Sequence, residues 1–151
     1  MLYIVKIITP GDDKSIIELG KTEQEENNQG NCLTDVNIYL DTIDNDTKQK
    51  SLGMLAKIEV FGKIYEGEKL KSMYKALFDW AKSLDKSQWY KTVEIEIKDD
   101  GGQDTFRKYH FENIFVVDYK EFYGKNNDRK EDHFELFMKQ KENGFKSIET
   151  F

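Results

Sequence analysis

The chain has 151 residues and one proline; it is 38% hydrophobic and 13% aromatic, and its 29 acidic and 23 basic residues leave a net charge of −6. That length and composition suit a single domain, residues 1–151, with a buried core, and they exclude a chain disordered throughout. Lys and Arg are scattered among carboxylates, which excludes the clustered basic face of a specific nucleic-acid footprint, and the lone Cys32 excludes an internal disulfide.

Residues 2–9 (LYIVKIIT) are rich in β-branched and aromatic residues and stop at Pro10-Gly11, the pattern of a first strand. The run is short, holds Lys6 at its middle and lacks a basic leader, so it reads as neither a secretion signal nor a membrane span. No other run approaches the ~18 apolar residues of a membrane helix. Synthesis in the cytoplasm is the expectation. Residues 15–19 form a second apolar run able to pair back across the Pro-Gly turn, and 21–31 are polar and acidic, an exposed loop.

Val36, Ile38 and Leu40 alternate with Asn37 and Tyr39 as in a half-buried strand. Residues 41–53 (DTIDNDTKQKSLG) then stay polar for longer than a simple connection needs, and loops of that length are often functional. Strand chemistry returns over 54–64, with Ala56, Ile58 and Val60 on one face and Gly62 breaking the alternation as a bulge or bend would. The spacing of Leu70, Met73, Tyr74, Leu77, Ala81 and Leu84 predicts one helix over 68–84. Phe78 and Trp80 fall off the centre of that stripe, so the helix either packs broadly or offers an aromatic flank to a neighbour.

Residues 92–98 (TVEIEIK) alternate strictly, Val93, Ile95 and Ile97 inward and the glutamates outward, and Asp99-Asp100-Gly101-Gly102 suits a tight hairpin. Residues 105–123 predict one bent strand or two, 124–132 a polar turn, and 133–141 a further strand; the tail adds a short strand or hangs free. About seven strands and one helix call for a small barrel or sandwich with the helix packed against it.

Chemistry is sparse. His110 (KYHFE) and His133 (EDHFE) both sit in strand patterns, where outward-facing histidines are the plain reading, and no helical His-Glu-x-x-His zinc motif occurs. No serine sits on a glycine-flanked elbow, and Gly101-Gly102 precedes no helix that would make a phosphate loop. Asp44-Asn45-Asp46 lacks the glycine at the sixth position of a calcium loop. No cofactor or metal is expected. Two alternatives to a structural role stand: a hydrolase or protease using His110 or His133, and a monomeric β-barrel binding module whose 41–53 loop holds a ligand.

The segments LFDWAKS (77–83), TVEIEIKDD (92–100), FRKYHFENIFVVDYKEFYG (106–124) and HFELFMKQKE (133–142), in that order, resemble the haemolysin-coregulated protein family. These are the tube proteins of type VI secretion systems, which share a fold with phage tail tubes. The phrase Phe111-Glu112-Asn113, continuing to Tyr119 and Glu121, is especially similar, and the resemblance spans about residues 33–142. It implies a mainly β fold, a small β-barrel of two packed sheets with one flanking helix, and a non-catalytic subunit. It further implies a homo-oligomer: a hexameric ring, stacked into a tube, that meets sheath, baseplate or secreted effector proteins. The 41–53 loop corresponds to an extended loop that reaches neighbouring subunits, so Asp44, Asp46, Lys48, Lys50 and Leu52, with Phe78 and Trp80 on the helix, are the expected contact residues. The Lys-, Asn- and Ile-rich composition with only two arginines points to an AT-rich bacterial genome and to a phage-tail, tailocin or related contractile particle.

Overall fold

The computed structural model describes residues 1–20, 32–42, 54–100, 104–141 and 148–150. The strands are β1 (Leu2–Thr9), β2 (Asp12–Leu19), β3 (Leu33–Thr42), β4 (Met54–Lys63), β5 (Lys91–Lys98), β6 (Thr105–Phe122), β7 (His133–Gln140) and β8 (Ile148–Thr150), with one helix, α1 (Glu68–Lys82), between β4 and β5. All ladders are antiparallel, in the order β2-β1-β5-β6-β7-β4-β3, with β8 joined to β6. The mainly β architecture with a flanking helix is the expected one. Its two sheets are halves of a single sheet: β5 and β8 lie along the first half of β6, and β7 lies along the second. β1 and β3 approach each other across the core, but no ladder among the described residues joins the outermost strands β2 and β3. The barrel is therefore not closed within the described residues.

Bulges in β6 let one strand serve both halves. Lys91 pairs with Ile114 and Val93 with Phe111, so β6 carries an extra residue there, and Asn113 takes the left-handed conformation at φ 59°. Asparagine tolerates that region better than other side chains, and a bulge bends its strand. Two further extra residues follow from the register: Phe106 opposite the Ile97–Lys98 step and Val117 opposite the Phe137–Met138 step. Gln140, 2% exposed, stitches the central bend. Its Nε2 donates to the Glu112 carbonyl (3.0 Å) and its Oε1 accepts from the Ala56 amide (3.2 Å).

Period-two alternation places Val5 and Ile7, Ala56, Ile58 and Val60, Val93 and Ile95, and Phe134, Leu136 and Met138 in one core. Leu70, Met73, Tyr74 and Leu77 of α1 close over it, as the helical spacing predicts. The stripe then ends on Trp80 rather than on Ala81 and Leu84. Ser83 is extended (φ −60°, ψ 131°), and Leu84 is 92% exposed. Two indoles brace this end of the helix: Trp80 Nε1 donates to the Trp89 carbonyl (3.0 Å), and Trp89 Nε1 to the Ser83 carbonyl (2.7 Å). Gly62 is not a bulge. The extra residue is Thr34, across the ladder on β3, and Gly62 instead lies beneath the Phe134 ring.

Candidate assembly surface

Helical geometry separates the two aromatics expected to share one flank, because residues two apart on a helix do not share a face. Phe78 is 48% exposed, whereas Trp80 is 5% exposed and packs inside its own chain. What stands beside Phe78 comes from β6. The bulge at Val117 turns that valine outward, 51% exposed, and a groove of about 250 Å³ runs between α1 and β6, lined by Phe78, Ala81, Val116, Val117 and Tyr119 together with the charged Lys82 and Asp118. Lys82 lies over the Phe78 ring (5.5 Å) and pairs with Asp79 (3.5 Å), giving an apolar strip with a charged rim. Val117 escapes sequence reasoning because plain alternation along β6 does not reveal where an extra residue reverses the face.

The second feature is the pair of outer strands. β2 and β3 each have one ladder neighbour among the described residues, so each presents a row of backbone groups to a further strand or to a packing partner. Apolar side chains accompany both, Ile16 on β2 and Tyr39 and Leu40 on β3. The β6–β7 turn braces β3: Arg129 donates to Thr34 Oγ1 (3.1 Å) and Asp35 Oδ2 (3.0 Å) and covers the Phe61 ring (5.0 Å). Beyond β3, Asp44, Asp46, Lys48, Lys50 and Leu52 lie outside the described residues.

The histidines occupy separate places. His110 faces outward on the first half of β6, its Nδ1 3.2 Å from Glu94 and its Nε2 3.4 Å from Glu112. His133 departs from the outward orientation expected of it. It is 2% exposed, stacks on Phe122 (4.6 Å between ring centres), meets the Glu131 carbonyl through Nδ1 (3.0 Å), and stands opposite the last residue of β6. A flat ring against Phe122 and a backbone partner for one nitrogen account for that burial. Near His110 the outer face is a ladder of matched charges. Burial pushes Glu96 up, but the Thr105 hydroxyl and the ammonium groups of Lys108, Lys98 and Lys6 hold it below the ordinary carboxylate value. Cys32 is wholly buried. Among the described residues no group of three or more His, Cys, Asp or Glu side chains is arranged to hold a metal ion, and no described helix is long and apolar enough to cross a membrane.

No family model and no curated protein matches the sequence. Solved structures do match, over the whole chain. Hcp1 from E. coli EAEC 042 superposes with a TM-score of 0.59 at 12% identity, covering 100% of this chain and 98% of that one. The tube-terminating cap of the anti-feeding prophage gives 0.57 at 11% identity, covering 99% and 87%. A chain of the sheath-tube complex of an extracellular contractile injection system, PVC, gives 0.54 at 17% identity, covering 99% and 88%. The fold built from bent β6, its two half-sheets and helix α1 is thus similar to that of Hcp proteins and of components of contractile injection tubes and caps.

Proposed function

We propose that this chain is a structural, non-catalytic subunit of a ring or tube in a phage-tail-like contractile apparatus, acting as a homo-hexamer whose rings stack. The observation that carries this reading is full-length superposition on Hcp and on tube-cap and sheath-tube components, at nearly their whole length. The outer strands support it, because ring closure is a natural way to cover exposed sheet edges, and a cyclic ring joins two different patches of each subunit. In this reading one patch is the strip around Phe78 and Val117, with Trp80 beneath it holding the helix end. The 41–53 loop, through Asp44, Asp46, Lys48, Lys50 and Leu52, reaches the adjacent subunit or ring. Sheath, baseplate or effector proteins are the further partners, and the subunit is made in the cytoplasm and leaves the cell only as part of the particle.

The test is the mass in solution by light scattering after size exclusion, across a range of concentrations, with electron microscopy of the same fractions. A species near six times 17.8 kDa that images as a ring is the expected result. A protein that stays monomeric at every concentration, without and with sheath or baseplate partners, overturns the reading.

A further inference from the structure

Two lysines face each other on the outer side of the second half-sheet. Lys57 of β4 stands directly opposite Lys139 of β7, with Tyr39 of β3 opposite Lys57 and Phe115 of β6 opposite Lys139. Their chain neighbours Ile38, Ile58, Met138 and Ile114 belong to the core, so alternation turns all four side chains outward in one row across four adjacent strands. Tyr39 is 44% exposed and Lys139 is exposed, while Lys57 and Phe115 are half-buried. The order along the row is ring, cation, cation, ring, with Lys57 over the Tyr39 ring (5.4 Å).

A groove of about 340 Å³ beside the row is lined by Lys57, Lys120 and Lys139 and by the carboxylates Glu59 and Asp118; the rest of its lining is apolar. Both carboxylates are engaged within the chain. Glu59 accepts the Tyr39 hydroxyl, and Asp118 pairs with Lys120 (3.5 Å). Like charges directly opposite on a ladder repel. An anionic group laid between Lys57 and Lys139 turns that repulsion into two attractions.

Spacing narrows the class of partner. Neighbouring strands lie about 4.8 Å apart, so the row spans about 14 Å. Successive turns of an α-helix rise about 5.4 Å, and its residues i, i+4, i+7 and i+11 lie on one face. A helix laid across the strands, acidic at i+4 and i+7 and apolar at i and i+11, sets one side chain against each member of the row. A nucleic-acid backbone fits less well. It carries charge along its whole length and would meet Glu59 and Asp118 in the adjacent row, on a chain of net charge −6.

We propose that the outer face of β3, β4, β7 and β6 docks an amphipathic helix of a partner protein, with an acidic pair seated between Lys57 and Lys139 and apolar side chains against Tyr39 and Phe115. The proposal stands apart from the ring reading, since the row is complete within one subunit.

The probe is a synthetic alanine-rich peptide of about 20 residues, long enough to be helical, that carries the stripe Leu-x-x-x-Glu-x-x-Glu-x-x-x-Leu. Fluorescence anisotropy follows its binding to the full chain. The expected result is saturable binding that weakens as salt rises, and that weakens at least about tenfold in Lys57→Gln/Lys139→Gln. That variant should melt at or above the parent, because the opposed charges are gone. Lys57→Glu/Lys139→Glu should instead prefer the same peptide with lysine at both acidic positions. No saturation of the parent at about 1 mM peptide, or equal affinity for the double-glutamine variant, overturns the proposal. So does an oligothymidylate that binds the parent as tightly as the peptide and displaces it, because the row is then a general polyanion site.

Discussion

Replacing Gly62 with alanine probes the junction where β4 passes beneath the Phe134 ring. An added Cβ would lie 2.6 Å from Phe134 Cε1, 2.7 Å from its Cζ and 2.9 Å from the Cys32 carbonyl oxygen, all closer than real Cβ contacts. Neither neighbour gives way easily. Phe134 is wholly buried between Tyr74 and Tyr119, with ring centres 5.8 Å and 6.4 Å away. The Cys32 carbonyl accepts the Lys63 amide at 2.8 Å. Overpacking of this kind costs about 1–3 kcal/mol. Loss of glycine's backbone freedom in the unfolded chain returns only about 0.5–1 kcal/mol. A net loss of about 1–2 kcal/mol lowers Tm by about 2–8 °C in a chain of this size. The assay is thermal and urea unfolding of Gly62→Ala, alone and combined with Phe134→Leu. The smaller side chain makes room for the methyl group, so alanine at 62 should cost about 1 kcal/mol less in that background. Gly62→Ala melting at or above the parent, or a cycle that is strictly additive, would refute the reasoning.

Gln140→Met leaves the buried Ala56 amide without its side-chain partner and removes the part-buried bond to the Glu112 carbonyl, and at about 1–3 kcal/mol for a buried unsatisfied group the urea midpoint should fall by the equivalent of about 1–3 kcal/mol; an unchanged midpoint disproves the stitch across the β6 bend. Phe78→Asp with Val117→Asp alters two half-exposed side chains, so monomer stability should shift by about 0.5 kcal/mol or less while self-association measured by light scattering is lost; assembly at the parent's concentration shows that this strip is not an interface. Glu121 accepts both the Tyr119 hydroxyl (2.9 Å) and the Tyr123 hydroxyl (2.6 Å). Burial chiefly pushes Tyr119 up, and the bond to Glu121 chiefly pushes Tyr123 up to about 12. Above the ordinary tyrosine value of about 10 the unfolded chain releases phenolic protons that the fold retains, so stability present below that pH declines as pH rises through the folded values. Melting curves between about pH 9.5 and 11.5 should fall less steeply for Tyr119→Phe/Tyr123→Phe than for the parent, and parallel slopes would count against the arrangement.

Much of the fold is legible in single segments. The alternation in TVEIEIK is the β5 that forms, with Val93 and Ile95 buried, and the spacing from Leu70 to Leu77 is the buried face of α1. Of the proposed contact residues, Phe78 is readable as an off-stripe aromatic. Val117 is not, because its exposure depends on an extra residue relative to β7. The phrase Phe111-Glu112-Asn113, which carries much of the family resemblance, proves to be the bulge at which β6 bends, and its physical role appears only when the registers with β5 and β7 are known.

The sequence by itself determined roughly where strands and helix run, which side of β5 and of α1 from Leu70 to Leu77 faces the core, and the absence of the familiar catalytic motifs, since these follow from backbone periods of two and 3.6 and from short-range spacing. Tertiary structure alone decided that two half-sheets share β6, that Trp80 and His133 turn inward, and that Gly62 lies under an aromatic ring. Each of those depends on which distant residue stands across a ladder or beneath a helix, and a one-residue shift in register reverses the face of every side chain that follows.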